Sequence, residues 1–150
     1  MSGAARGGTL TPWVIIFGVL GLIPFWAPLT LSLTDPADTV GAATIQAFYA
    51  GVLLSFLGGA RFGRVFDQSG RGTVVALAMI PSIMSLFILA LPRGDAGPKL
   101  ALLAAALAVA LVWDLWAADF ARGYKALRII LTALAIAPMA ALAVISWPRA

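Results

Sequence analysis

Five apolar stretches, each about long enough to cross a bilayer, fill nearly all of this 150-residue chain, at 13–33, 42–60, 73–91, 100–120 and 129–147. A hydrocarbon core of ~30 Å takes ~20 apolar residues at a helical rise of ~1.5 Å each. Inside lipid the backbone has no water to bond with, so a spanning stretch closes its own hydrogen bonds as a helix. The expected fold is therefore all-α: a polytopic membrane bundle of five transmembrane helices, forming a single domain over 1–150. Composition agrees, with 11% charged residues and a mean hydropathy of +1.02, where a soluble domain carries ~25% charged residues. The longest connection, 61–72, leaves no room for a soluble domain.

The net charge of +4 would point toward nucleic acid in a soluble protein. Here the basic residues sit at the ends of the apolar runs, where Lys and Arg set orientation and attract anionic headgroups. The partner expected from charge is the lipid bilayer, and no nucleic acid. Five crossings put the termini on opposite sides. One side collects Arg6, Arg61, Arg64, Arg71, Arg122, Lys125 and Arg128; the other has Arg93, Lys99 and Arg149, with acidic residues at Asp35 and Asp38. The positive-inside rule then places the N-terminus in the cytoplasm and the C-terminus outside, as a multi-pass protein of the cell inner membrane. The first run is longer than the apolar core of a signal peptide and is expected to be a retained span.

Loop signals fall between the runs: Asp35-Pro36 with Asp38, then Asp67 to Gly70 with Gly72, then Pro92 to Pro98. The third is expected as a short, stiff outer loop, and its Arg93-Gly94-Asp95 tripeptide is read as a chance match to an adhesion motif. Trp13, Trp113, Trp116 and Trp147 fall toward span ends, as an interfacial belt requires, whereas Trp26 lies deeper and is expected to face a neighbouring helix.

The sequence contains no Cys, His or Glu. Disulfides, thiol chemistry, the usual zinc sites and imidazole acid–base catalysis are thereby excluded. The expectation is no enzyme, no catalytic residue, no metal and no cofactor.

Two patterns carry more. In the second run Ala47, Gly51, Ser55, Gly59 and Gly63 recur every fourth residue. They give one helix face only small side chains and permit close approach of another helix. In the fourth run Asp114 is a carboxylate well inside the membrane, where an ionised group raises the insertion free energy by up to ~2.5–3.5 kcal/mol and is expected to pair. The candidate intramembrane polar cluster is Asp114 with Arg61, Arg64 and Arg122. A structural Asp–Arg clasp is weighed there against a proton-accepting or ligand-binding carboxylate. Asp119 and Arg122 are read as an ordinary edge pair. Pro24, Pro28, Pro81 and Pro138 interrupt three runs, and the carbonyls they free are expected to find Ser hydroxyls, such as Ser82 and Ser85, or neighbouring helices.

Several segments carry a resemblance when taken together. They are Gly21-Leu-Ile-Pro-Phe25, the stretch Tyr49 to Gly63, Pro81-Ser82, Asp114, and Tyr124 to Thr132. In this order they resemble domain-of-unknown-function family 3429, small multispan proteins of proteobacteria related to mitochondrial transmembrane protein 69. Phe62 stands where that family tends to carry Trp. The resemblance implies a multispan fold in the inner membrane and draws attention to Arg61, Asp114 and Arg128, but it implies no activity. Two functions follow as expectations. The first is a non-enzymatic accessory or assembly subunit packing against a larger membrane complex, through a membrane-protein partner or a homo-oligomer. The second is a small carrier or binder of a lipid, quinone or tetrapyrrole, with a pocket near Asp114.

Overall fold

The computed structural model describes residues 11–66, 72–92, 96–117 and 122–147, apart from the side chains of 64–66, 72–75 and 117. The loop signals at 67–71, the Arg93-Gly94-Asp95 tripeptide and Asp119 lie outside the described residues. Six helices follow in order: α1 (Pro12–Leu20), α2 (Ile23–Thr34), α3 (Thr39–Phe66), α4 (Gly72–Leu89), α5 (Ala96–Ala117) and α6 (Arg122–Ile145). There is no strand among the described residues. Four segments are long and apolar enough to cross a membrane, namely Pro12–Thr34, Pro36–Gly63, Ala96–Trp116 and Arg122–Ile145; Ala76–Leu89 is a shorter apolar helix. The all-α bundle read from the apolar runs is therefore what forms.

The first run is two helices rather than one. Pro24 has no amide hydrogen, and Phe25 N–H turns to the Leu22 carbonyl at 2.9 Å instead of reaching Gly21. The Gly21 carbonyl left over accepts from the Tyr49 hydroxyl of α3 at 3.0 Å. A break inside lipid is tolerated because a neighbouring helix supplies the missing donor. Between α2 and α3, Asp35 accepts from Ala37 N–H at 3.1 Å, and a short 3-10 turn (Pro36–Asp38) leads into α3.

α3 is the central element, packed against α2, α4 and α5 and more lightly against α6. Its inner face is small: Ala42, Ala43, Ala47 and Ala50 are buried, with Leu54 below them. Facing them are Leu100, Leu103 and Leu107 of α5 and Met139 and Leu142 of α6. In lipid, such close-packed small residues replace the water-driven force that holds a soluble core. Gln46 is fully buried and donates through Nε2 to the Phe25 carbonyl, while its Oε1 has no partner among the described residues.

Two local expectations are corrected. Gly97 and Pro98 belong to the first turn of α5 rather than to a loop, a place where proline is tolerated because early helical amides have no intrahelical acceptor. Gly97 is held where an added Cβ would lie 2.7 Å from the Ala143 carbonyl. The strict four-residue face of α3 is also not one contact surface. Ala47 is buried, Gly51 packs against Leu89, and the Ser55 hydroxyl meets Ser85 at 2.9 Å. The close approach then continues at Gly58, whose added Cβ would meet the Ala78 carbonyl at 2.9 Å, while Gly59 and Gly63 face open space. Four residues turn a helix by about 400°, so such a row drifts about 40° per step and walks off the neighbour.

Candidate functional site

Asp114 lies one turn from the end of α5, Arg61 between one and two turns from the end of α3, and Arg128 under two turns from the start of α6. All three are at the same end of the bundle. Asp114 is 5% exposed. Its Oδ1 accepts from Arg61 Nε at 2.8 Å, and its Oδ2 accepts from Arg128 Nη2 at 2.8 Å and Nε at 3.3 Å. Arg61 Nη2 also donates to the Ala110 carbonyl at 2.6 Å. One carboxylate thus ties three helices, with charge-assisted bonds on both oxygens. Two guanidinium groups against one carboxylate leave a single positive charge on the cluster.

The Asp–Arg clasp expected from the sequence is present, with one partner corrected. Arg61 is in it. Arg122, by contrast, is exposed at the first residue of α6 and makes no bond to Asp114. α5 and α6 are separate helices, so a helical wheel carried from 114 to 122 gives the wrong geometry. Arg64 lies in α3, but its side chain is outside the described ones. Arg128, which only the family resemblance singled out, takes the second oxygen. Asp114 stands three residues from the end of α5 and Arg128 six residues into α6, so the contact is made by the packing of the two helices.

Beside the clasp, α3, α4 and α5 enclose a cleft of about 60 Å³. Arg61 forms part of its wall, and Leu54, Ile80, Met84, Val109 and Trp113 are among the apolar residues lining the rest. Its walls come from α3, α4 and α5 together, with Leu54, Pro81 and Ala106 at one level of the three helices. Among the described residues Arg61 is the only charged one lining it. Ser82 and Ser85 do not serve the Leu77 carbonyl that Pro81 deprives of a donor. Ser82 donates to the Ser55 carbonyl at 3.3 Å, and Ser85 donates to the Ser82 carbonyl at 2.9 Å. No metal-binding group of His, Cys, Asp or Glu side chains occurs among the described residues.

Apolar helices with one charged cluster clamped inside one end define a multispan helical membrane protein. A family model described as "Protein of unknown function (DUF3429)" matches residues 10–144. The chain belongs to that family. No curated protein and no solved structure matches it.

Proposed function

We propose that this protein is a non-enzymatic inner-membrane protein that serves as an accessory or assembly subunit, docking against a larger membrane complex. The observation that carries this reading is the outer strip of α3. Val52 and Phe56 are exposed side by side, and Gly59 and Gly63 follow them with nothing within 4 Å of an added Cβ. Large knobs above an empty notch are the shape into which a second membrane helix packs, since notches of small residues let backbones approach closely. Asp114 supports the non-enzymatic part, because arginine engages both of its oxygens and makes it a tie between three helices. The charge bias along the chain supports an N-terminus in the cytoplasm and a C-terminus outside. Extraction in mild detergent, followed by native gels and mass spectrometry, tests the reading. A co-purifying membrane protein, lost on Gly59→Leu, is the expected outcome, and a monodisperse particle of this chain alone refutes it.

A second reading, a small binder of a membrane-soluble ligand, is favoured by the cleft beside Arg61. Sites that enclose a whole small molecule hold ~300–1,000 Å³, so a cleft of about 60 Å³ takes only part of one, such as a segment of a lipid acyl chain lying along its apolar wall.

A further inference from the structure

We infer that the cleft between α3, α4 and α5 is a binding site for a glycerophospholipid carrying one negative charge, with an acyl chain against Ile80, Met84 and Val109 and the phosphate at Arg61. The inference rests on the second reading above and names its ligand. Three observations carry it.

The first is the shape. The cleft runs from Leu54 and Met84 in the middle of the bundle to Arg61 and Trp113 near its end. From Leu54 to Arg61 is seven residues of one helix, or about 10 Å. A chain lying in it thus has one end at membrane depth and the other close to the headgroup layer.

The second is charge. The clasp holds two arginines and one carboxylate, so one positive charge has no counter-ion among the groups that form it. An uncompensated charge inside apolar surroundings favours an anion of matching valence. A zwitterionic headgroup brings no net charge to balance it.

The third is the bonding of Arg61. Nε is used by Asp114 and Nη2 by the Ala110 carbonyl, and Nη1 has no bond among the described residues. A guanidinium with two of its nitrogens fixed is pre-oriented, and phosphate oxygens suit the N–H groups that remain. Trp113, 43% exposed beside it, is a side chain suited to the headgroup boundary.

The test is native mass spectrometry of the full-length protein, exchanged into equal amounts of phosphatidylglycerol and phosphatidylcholine with identical acyl chains. Wild type is expected to retain the anionic lipid about tenfold more, as one charge-assisted contact warrants. Arg61→Gln removes the contact but also opens the clasp, so Ile80→Trp is the decisive variant. Ile80 is 43% exposed on the wall of the cleft and takes no part in the clasp, so a larger ring fills the groove and leaves the fold intact. Loss of the preference in Ile80→Trp, at unchanged thermal stability, supports the site. Equal retention of both lipids by wild type overturns the charge assignment, and a preference that survives Ile80→Trp overturns the cleft. A photoreactive acyl chain on each lipid separates this failure from that of the broader reading. Cross-links to α4 from both lipids equally leave a lipid-binding cleft without charge selection, whereas no cross-link to α4 removes the ligand reading altogether.

Discussion

Trp26 donates its indole N–H to the Leu134 carbonyl at 3.1 Å, the very carbonyl that Pro138 leaves without its helical donor. The proline removes the amide four residues on, and a side chain from α2 replaces it across the helix boundary. A related exchange joins Tyr49 to Gly21, whose carbonyl loses its donor because Phe25 N–H turns to Leu22 at the break made by Pro24. Two proline interruptions are therefore bonding points between helices rather than simple kinks.

This pairing predicts coupling between Trp26 and Pro138. Trp26→Phe alone should destabilise the bundle by about 1 kcal/mol, the net worth of one such bond. In a Pro138→Ala background the restored amide serves Leu134, and the same Trp26→Phe change should lose most of its effect. A double-mutant cycle by unfolding in mixed micelles reads this directly. Additive effects of the two substitutions rule the pairing out.

The clasp predicts an order of severity. Asp114→Asn leaves two arginines facing each other without their anion, and breaking a buried pair in this way costs ~3–5 kcal/mol. The lower end is expected, because Arg128 is 17% exposed in its side chain and can reach toward the headgroups. Arg61→Gln or Arg128→Gln leaves the carboxylate one cation and should cost about 1–3 kcal/mol each. Arg122→Gln should stay within about 0.5 kcal/mol, as exposed substitutions do. Thermal unfolding in detergent orders the four variants, and an Arg122 effect equal to that of Arg128 contradicts the assignment.

How much of this the residues foretold depends on the kind of interaction. Apolar length is a property of one segment, so the helical spans are readable from it, and so is the need of Asp114 for a cation. Which cation it finds depends on how α5 and α6 lie against each other, and nothing local to 114 or 128 encodes that. The Pro24 break was visible as a proline, but its tolerance rests on Tyr49, 25 residues away. The row of small residues was visible too. Its division at Gly58 and Gly59 comes from the mismatch between a four-residue repeat and 3.6 residues per turn. The cleft had no signature, because its walls come from three different helices and no one segment encodes them.

That division makes neighbouring glycines behave oppositely. Gly58→Leu drives its side chain into the Ala78 backbone of α4 and should destabilise the fold by about 1–3 kcal/mol, as overpacking does. An added Cβ at Gly59 meets nothing within 4 Å, so Gly59→Leu should leave stability unchanged or raise it by up to ~1 kcal/mol. Melting curves of the two variants check the packing, and partner recovery with Gly59→Leu checks the docking strip separately. Equal losses of stability would falsify the offset between the two faces.

The last prediction concerns α4. Its 18 residues span about 27 Å, slightly short of a ~30 Å hydrocarbon core, and Pro81 lies in the middle. If α4 crosses with the four longer segments, the crossings number five and the termini face opposite compartments. The chain has no cysteine, so single introduced thiols report without background. Ala150→Cys should react with a membrane-impermeant maleimide on intact cells, and Ser2→Cys only after the membrane is opened. A bundle in which α4 stops partway exposes both thiols to the same side. The two labelling patterns therefore decide whether the shortest helix is a span, and with it whether the basic cluster of Arg61, Arg122 and Arg128 faces the cytoplasm.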